Sequence, residues 1–181
     1  MKLHTLKPLF KRQILNLQFI LKKKSHRAKK MTTSEKTIQD FLQLNRLAVA
    51  GVSRDRSKFG NMIYRELKRR GYQVMAVNPN AEMVEGDRCY AGLRALPEKP
   101  EGVVLVLPAG QGIQVIEDAA TLGIRNIWIQ VGAESPELLK HCSENNLVTV
   151  SGECIFMHLE PVRSVHGGHH FFRRLFGGKP K

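Results

Sequence analysis

Residues 51–60 (GVSRDRSKFG) combine a glycine at each end with three cations, a combination suited to binding a phosphate group. The cations are Arg54, Arg56 and Lys58. An apolar run at 47–50 precedes this segment and apolar residues recur at helical spacing over 60–70, which predicts a strand, a loop and a helix. A helix that begins after a glycine-containing loop presents free N–H groups and the positive end of its dipole. We therefore predict an anion-binding site at this loop.

Apolar strands and amphipathic helices alternate along the rest of the chain. The other predicted strands are 73–77, 102–107, 126–130 and 147–150. The other predicted helices run from 35 to about 43, from about 110 to about 122 and from 136 to about 145. Residues 81–100 are interpreted as a connection with a short extended piece near 88–90, and the cations at 65–70 are expected on an exposed helix face. The alternation predicts an α/β fold, a Rossmann-like doubly wound parallel sheet of about five strands in three layers.

Sheets of this kind bind ligands where the carboxyl ends of the strands meet, at the topological switch point. The strand ends expected there carry Gly, Pro or small polar groups, at 51–60, 78–79, 108–109 and 130–132. Two features argue against NAD: the loop is longer than GxGxxG, and Asn78 stands where a dinucleotide-binding fold uses Asp or Glu. GxxxxGK[ST] is absent, which argues against a Walker P-loop. A phosphate site alone leaves FAD, a mononucleotide and coenzyme A open.

The net charge of +13 is concentrated at the two ends of the chain. Residues 1–30 carry ten Lys and Arg, residues 161–181 carry five, and neither segment has an acid, whereas residues 31–160 carry 14 basic and 16 acidic residues. The predicted domain, 31–160, is thus nearly neutral, and we expect no nucleic-acid-binding surface on it. Residues 1–30 have the pattern of a basic amphipathic helix that would lie on an anionic membrane or on RNA. The alternatives are a disordered extension and sequence upstream of a true start at Met31.

The cysteines have no CxxC spacing, so we expect neither a disulfide framework nor a zinc site, and a reducing cytoplasm fits best; they are Cys89, Cys142 and Cys154. The tail, 161–181, adds three histidines to His158 without an HExxH frame, and we predict no metal site there. Its apolar side chains are expected to dock on the domain or on a second copy of it, forming a homodimer; they are Phe171, Phe172, Leu175 and Phe176.

Three segments resemble the stand-alone CoA-binding protein family: GVSRDRSKFGNMIYRELKRRGYQVMAVNPN, VVLVLPA and IWIQVGA. That family is similar to the CoA-binding domain of the succinyl-CoA synthetase α-subunit, and the likeness covers residues 40–160. The resemblance implies that the phosphates of the ligand lie among Gly51, Val52, Ser53, Arg54, Lys58, Phe59 and Gly60. It also implies that Asn78 and Pro79 border the adenosine, and that the far wall consists of Leu107, Pro108, Gln130 and Gly132.

The predicted function is therefore the binding of coenzyme A or an acyl-CoA, without catalysis by this chain. The larger ligases add a second domain with a phosphorylated histidine, for which this chain has no residues, so we expect no ligase activity and assign no catalytic residue. Two alternatives stay open. One is an NAD(P)-dependent oxidoreductase on a variant dinucleotide site, and the other is a membrane- or RNA-associated protein that uses its basic ends.

Overall fold

The computed structural model describes residues 33–108 and 110–159, which form seven strands and four α-helices. The strands are β1 (Arg46–Ala50), β2 (Gln73–Val77), β3 (Met83–Val84), β4 (Asp87–Tyr90), β5 (Gly102–Leu105), β6 (Asn126–Gln130) and β7 (Val148–Glu153). The helices are α1 (Glu35–Leu42), α2 (Phe59–Arg69), α3 (Ile113–Thr121) and α4 (Pro136–Glu144).

All seven strands belong to one sheet, in the order β3-β4-β2-β1-β5-β6-β7. Every pairing is parallel except that of β3 with β4, which is antiparallel. From β1 the chain first adds β2 and β4 on one side and then crosses to add β5, β6 and β7 on the other. The topological switch point therefore lies between β1 and β5, where ligands bind in such sheets.

Helices cover both faces of the sheet because alternate strand residues point to opposite sides. On one face Val49, Val104 and Trp128 pack with the buried side chains of α1 and α2. On the other face Ala48 and Ile127 pack with the buried side chains of α3 and α4. The three-layer, doubly wound, Rossmann-like architecture predicted from the sequence is confirmed.

The predicted strand count is too low, because β3 and β4 form a short hairpin within the segment interpreted as a connection. The extended piece near 88–90 is β4, which pairs with the end of β2. Strand β5 ends at Leu105 rather than 107; the Val106 N–H still donates to the Ala50 carbonyl at 2.8 Å, and residues 106–108 line the cleft described below. At the far edge β7 begins at Val148 and continues to Glu153, with an irregularity beside Gln130.

None of the helices in the described part of the chain is long and apolar enough to cross a membrane. The expectations for residues 1–30 and for the tail, 161–181, lie outside the described residues. His158 is described: its Nε2 lies 3.1 Å from Glu153 Oε2, and its ring packs edge-on against Trp128.

Candidate functional site

A cleft of about 770 Å³ lies along the carboxyl ends of β1, β2, β5 and β6. It spans the switch point between β1 and β5, as expected for an open α/β sheet. All but one of the site residues predicted from the sequence line it: Gly51, Val52, Ser53, Lys58, Phe59, Gly60, Asn78, Pro79, Leu107, Pro108, Gln130 and Gly132. The exception is Arg54, which is exposed outside the cleft lining.

Two glycines let the main chain of β1, α2 and β5 meet at the head of the cleft. Gly51 has a φ of +110°, and a Cβ at this position would lie 2.4 Å from the carbonyl oxygen of Val106. A Cβ on Gly60 would lie 2.2 Å from the carbonyl oxygen of Gly51. Both distances are shorter than any side chain tolerates, so only glycine allows the first turn of α2 to pack this closely on the end of β1.

The first turn of α2 lacks the usual neutralising groups. Its N-cap, Lys58, has an extended backbone and no side-chain capping hydrogen bond, and the first turn contains no acid. Helix N-termini carry partial positive charge, and a side-chain oxygen or an anion normally satisfies them. The Lys58 ammonium is 63% exposed and adds a second positive charge at the same place, which Asp55 Oδ2, 3.8 Å away, offsets in part.

The β1–α2 loop, residues 51–58, is shaped by hydrogen bonds among its own residues. Ser53 Oγ accepts from the Asp55 N–H at 3.1 Å, so this serine hydroxyl supports a turn. Asp55 Oδ1 accepts from both the N–H and the hydroxyl of Ser57, at 2.9 and 2.6 Å. These hydrogen bonds lower the pKa of Asp55, because they stabilise the charged form of its carboxyl.

Asn61 holds the loop from inside the protein, and the sequence analysis did not single it out. Its side chain is fully buried, with Oδ1 accepting from the Ser53 N–H at 2.8 Å and Nδ2 donating to the Ser53 carbonyl at 2.7 Å. Both backbone groups of Ser53 are therefore paired with one amide. No sequence signal marks this role, because only the burial of Asn61 in the structure indicates that its amide must be hydrogen-bonded.

The side chain of Asn78, at the end of β2, also forms hydrogen bonds with the main chain of the protein. Its Nδ2 donates to the Val52 carbonyl at 2.6 Å, and its Oδ1 accepts from the Asn80 N–H at 2.8 Å. This amide thus connects the end of β2 to the β1–α2 loop. A carboxylate here could accept from Asn80 but could not donate to Val52, which explains why an amide replaces the acid of dinucleotide-binding folds.

The opposite wall of the cleft is more polar than predicted. Gln130 is buried at the end of β6; its Oε1 accepts from the Ile155 N–H at 3.2 Å, and its Nε2 has no partner in the described structure. Helix α3 and the turn before it add Gln111, Gln114 and Asp118, which the sequence analysis missed. Asp118 accepts from Arg94 Nε at 2.8 Å. The positive charge of Lys58 and of the start of α2 therefore favours an anionic group at that end of the cleft.

Arg56 does not serve the anion site in the way its spacing predicted. It is absent from the described cleft lining, and its Nε donates to Glu85 Oε2 at 3.0 Å on the outer side of the loop. Arg65, expected on an exposed helix face, is only 40% exposed and donates to the same carboxylate at 2.7 Å. Of the three loop cations, Lys58 alone is among the described residues that line the cleft.

The model of the CoA-binding domain family matches residues 45–160, which is more than half of the chain. The chain belongs to this family. The match begins just before β1 and runs past β7, so it covers every cleft-lining residue named above. It confirms the resemblance on which the sequence analysis relied.

The chain is similar to part of two longer proteins and to most of one short protein. Over 102 residues the chain is 28% identical to acetate–CoA ligase (ADP-forming) II of Archaeoglobus fulgidus; the match covers 55% of this chain and 15% of the ligase. A hypothetical protein from Pyrococcus horikoshii OT3 has a TM-score of 0.66 and 26% identity, with 71% of this chain and 92% of that one covered. The apo form of dinucleotide-forming acetyl-coenzyme A synthetase 1 from Ca. Korarchaeum cryptofilum has a TM-score of 0.52 and 27% identity. This match covers 59% of this chain and 25% of the synthetase chain.

The head of the cleft has two features that suit an anionic group. The close contacts of Gly51 and Gly60 bring the first turn of α2 against the end of β1 there. The uncapped start of α2 and Lys58 provide positive charge at the same place. Phosphate oxygens accept hydrogen bonds from helix N-termini and from lysine, so both features suit one group.

Proposed function

We propose that this protein binds coenzyme A or an acyl-CoA in the cleft at the switch point, with no catalysis of its own. The observation that carries the proposal is the start of α2, which has no side-chain cap and no first-turn acid and lies beside Lys58 at the cleft. The family match supports coenzyme A as the source of the diphosphate.

In this proposal the diphosphate binds the β1–α2 loop and the first turn of α2. The adenosine lies against Pro79, where the chain leaves β2, and the remainder of the ligand follows the wall formed by Leu107, Pro108 and Gln130. The charge distribution supports this direction, because the positive charge of Lys58 and of the start of α2 lies at the loop end of the cleft. The unpartnered Gln130 Nε2 is positioned to gain a hydrogen bond if the ligand or a water reaches it.

We further propose a reducing compartment for this protein. The three cysteines are free, with Cys89 and Cys142 buried and Cys154 partly exposed. Burial raises the pKa of both the Cys89 and Cys142 thiols, which keeps them protonated and unreactive.

Ligand-dependent thermal unfolding and calorimetric titration test the proposal with coenzyme A, acetyl-CoA and NADH as parallel ligands. Coenzyme A at about 100 times its Kd should raise the free energy of unfolding by about 2.7 kcal/mol, while NADH at the same concentration should not. A comparison of coenzyme A with acetyl-CoA shows whether an acyl group is accepted. The proposal fails if millimolar coenzyme A gives no shift or if NADH gives an equal one; oxidation of NADH with any substrate would favour the oxidoreductase alternative.

A further inference from the structure

The hairpin of β3 and β4 places one carboxylate in an unusual position. Its turn consists of Glu85 and Gly86, both with positive φ, at +55° and +86°. Two-residue turns with positive φ at both positions match the twist of a hairpin, and the first position usually carries Asn, Asp or Gly. A glutamate with positive φ has an unfavourable backbone conformation, so contacts of its side chain must offset this cost in free energy.

The Glu85 carboxylate is buried beneath the β1–α2 loop, with 4% of the side chain exposed. It accepts from Arg65 Nη1 at 2.7 Å, from Asn61 Nδ2 at 2.9 Å and from Arg56 Nε at 3.0 Å. Burial raises the pKa of Glu85, but the Asn61 hydrogen bond and the charges of Arg65 and Arg56 outweigh it, and the resulting pKa lies below its usual value. The group is therefore ionised at neutral pH.

Each partner of Glu85 belongs to the β1–α2 loop or binds it. Asn61 pairs with the N–H and the carbonyl of Ser53. Arg65 Nη1 also donates to the Arg56 carbonyl at 3.0 Å, and Arg56 is itself a loop residue. The carboxylate thus connects the hairpin to both ends of the segment 53–56.

We propose that Glu85 is a positioning residue for the ligand site, which fixes the Asn61 amide and Arg56 and thereby holds the β1–α2 loop in its binding conformation. A carboxylate only accepts hydrogen bonds, so it requires Asn61 to present Nδ2 to it and leaves Oδ1 for the Ser53 N–H. The ligand role rests on the proposed function, whereas the effect on the loop does not.

The test compares Glu85→Gln with Asp87→Asn, a matched change two residues along the same hairpin. Asp87 accepts from Tyr64 at 2.9 Å and from Lys68, both further along α2, and none of its hydrogen bonds in the described part of the chain reaches the loop. Both variants remove one carboxylate charge that pairs with α2, so both should lower the stability to unfolding. Only Glu85→Gln should disturb the loop.

Two readouts separate a positioning role from a structural one. In the ligand-free protein, the Ser53 amide should exchange its hydrogen faster in Glu85→Gln than in the parent or in Asp87→Asn. The Kd for coenzyme A should rise by roughly tenfold in Glu85→Gln, the loss expected for one hydrogen bond to a charged group, and stay within about twofold in Asp87→Asn. Unchanged Ser53 exchange in Glu85→Gln, or an equal rise of Kd in both variants, would overturn the proposal.

A second pair of variants keeps the test informative if Glu85→Gln does not fold. Arg65→Gln removes one partner of Glu85, and Lys68→Gln removes the corresponding partner of Asp87; both side chains are partly exposed. Arg65→Gln should speed Ser53 exchange and raise the Kd by about threefold, within the range for partly exposed ion pairs, and Lys68→Gln should do neither. If the parent protein binds no coenzyme A, the proposed function fails, and the Ser53 exchange still decides whether Glu85 positions the loop.

Discussion

Two helices of this fold begin at the same edge of the sheet, and they begin differently. Helix α4, after β6, has Ser135 as its N-cap, with Oγ accepting from the Leu138 N–H at 3.1 Å, followed by Pro136 and the first-turn acid Glu137. Helix α2, after β1, has Lys58 as its N-cap and neither a side-chain cap nor a first-turn acid. The protein therefore neutralises one helix start and leaves positive charge at the other.

The loops before these two helices differ in the same way, in whether a carboxylate of the loop binds a main-chain donor at the cleft. In the β6–α4 loop the Gly132 N–H donates to Glu134 Oε2 at 2.6 Å, so the protein supplies its own carboxylate to a main-chain donor. In the β1–α2 loop the one acid, Asp55, binds Ser57 and lies near Lys58. The comparison indicates that an anionic ligand is expected at α2, because carboxylates of the protein, Glu134 and Glu137, already lie at α4 and its loop.

The largest effect should come from closing the space at α2 with a single methyl group. Gly60→Ala would place Cβ 2.2 Å from the Gly51 carbonyl, so β1 and α2 must separate, and we expect a destabilisation of about 3 kcal/mol with loss of coenzyme A binding. Urea unfolding and calorimetric titration measure the two effects. Gly92→Ala is the matched control, since Gly92 also lines the cleft but has open space around its Cβ position. Equal effects in the two variants would show that the close approach is unimportant.

The next effect concerns affinity rather than stability. Lys58→Gln removes the one loop cation among the described cleft-lining residues, and we expect coenzyme A to bind roughly tenfold more weakly, as for the loss of a charge-assisted hydrogen bond. Arg54→Gln, four residues earlier and outside the lining, should change the Kd by less than about twofold. Titrations at one fixed salt concentration give both values. A larger loss in Arg54→Gln would move the anion site out of the cleft.

Removal of the N-cap of α4 should lower stability and leave the affinity for the ligand unchanged, the opposite of the result expected for Lys58→Gln. Ser135→Ala removes the hydrogen bond to the Leu138 N–H and should lower the free energy of unfolding by about 1 kcal/mol, the usual contribution of an N-cap. The Kd for coenzyme A should not change, because the capping hydroxyl satisfies the helix and not the ligand. Denaturant unfolding with and without coenzyme A measures both quantities. A weaker Kd in Ser135→Ala would mean that the start of α4 takes part in binding.

Features that depend on local spacing could be predicted from the sequence. The positions of the main strands along the chain and the helix starts at Glu35 and Pro136 follow from apolar periodicity and from the capping residues Ser34 and Ser135.

Features that depend on contacts between distant segments could not be predicted. Arg56 has the spacing of a phosphate ligand, but it binds a carboxylate 29 residues away. That carboxylate lies in the turn of a hairpin of which the sequence indicated only the second strand, as the extended piece near 88–90; the first strand has two residues, too few for periodicity to indicate. Asn61 has the sequence position of an ordinary helix residue, and only its burial against Ser53 reveals its role.

The smallest expected effect is a difference in acid sensitivity between the two helices. Three carboxyls that pair with side chains of α2 have lowered pKa values. Hydrogen bonds from Arg69 and Arg70 lower the pKa of Glu66. The pKa of Glu85 is lowered by Asn61, Arg65 and Arg56, and that of Asp87 mainly by Lys68. A group with a lower pKa in the folded state stabilises the protein above its unfolded pKa, which is about 4 for these acids. The stabilisation is lost as the pH falls from there through the folded pKa.

Backbone amide exchange at pH 7 and at about pH 3, expressed as protection factors, tests this difference within one molecule. The amides of α2 should lose more protection on acidification than those of α4, whose N-cap hydrogen bond is made by a serine hydroxyl that does not titrate. Glu85→Gln should reduce the pH dependence of α2, because one of its titrating partners is gone. Equal loss in both helices would mean that acid weakens the whole domain cooperatively, and the contrast between the two helix starts would then concern ligand binding alone.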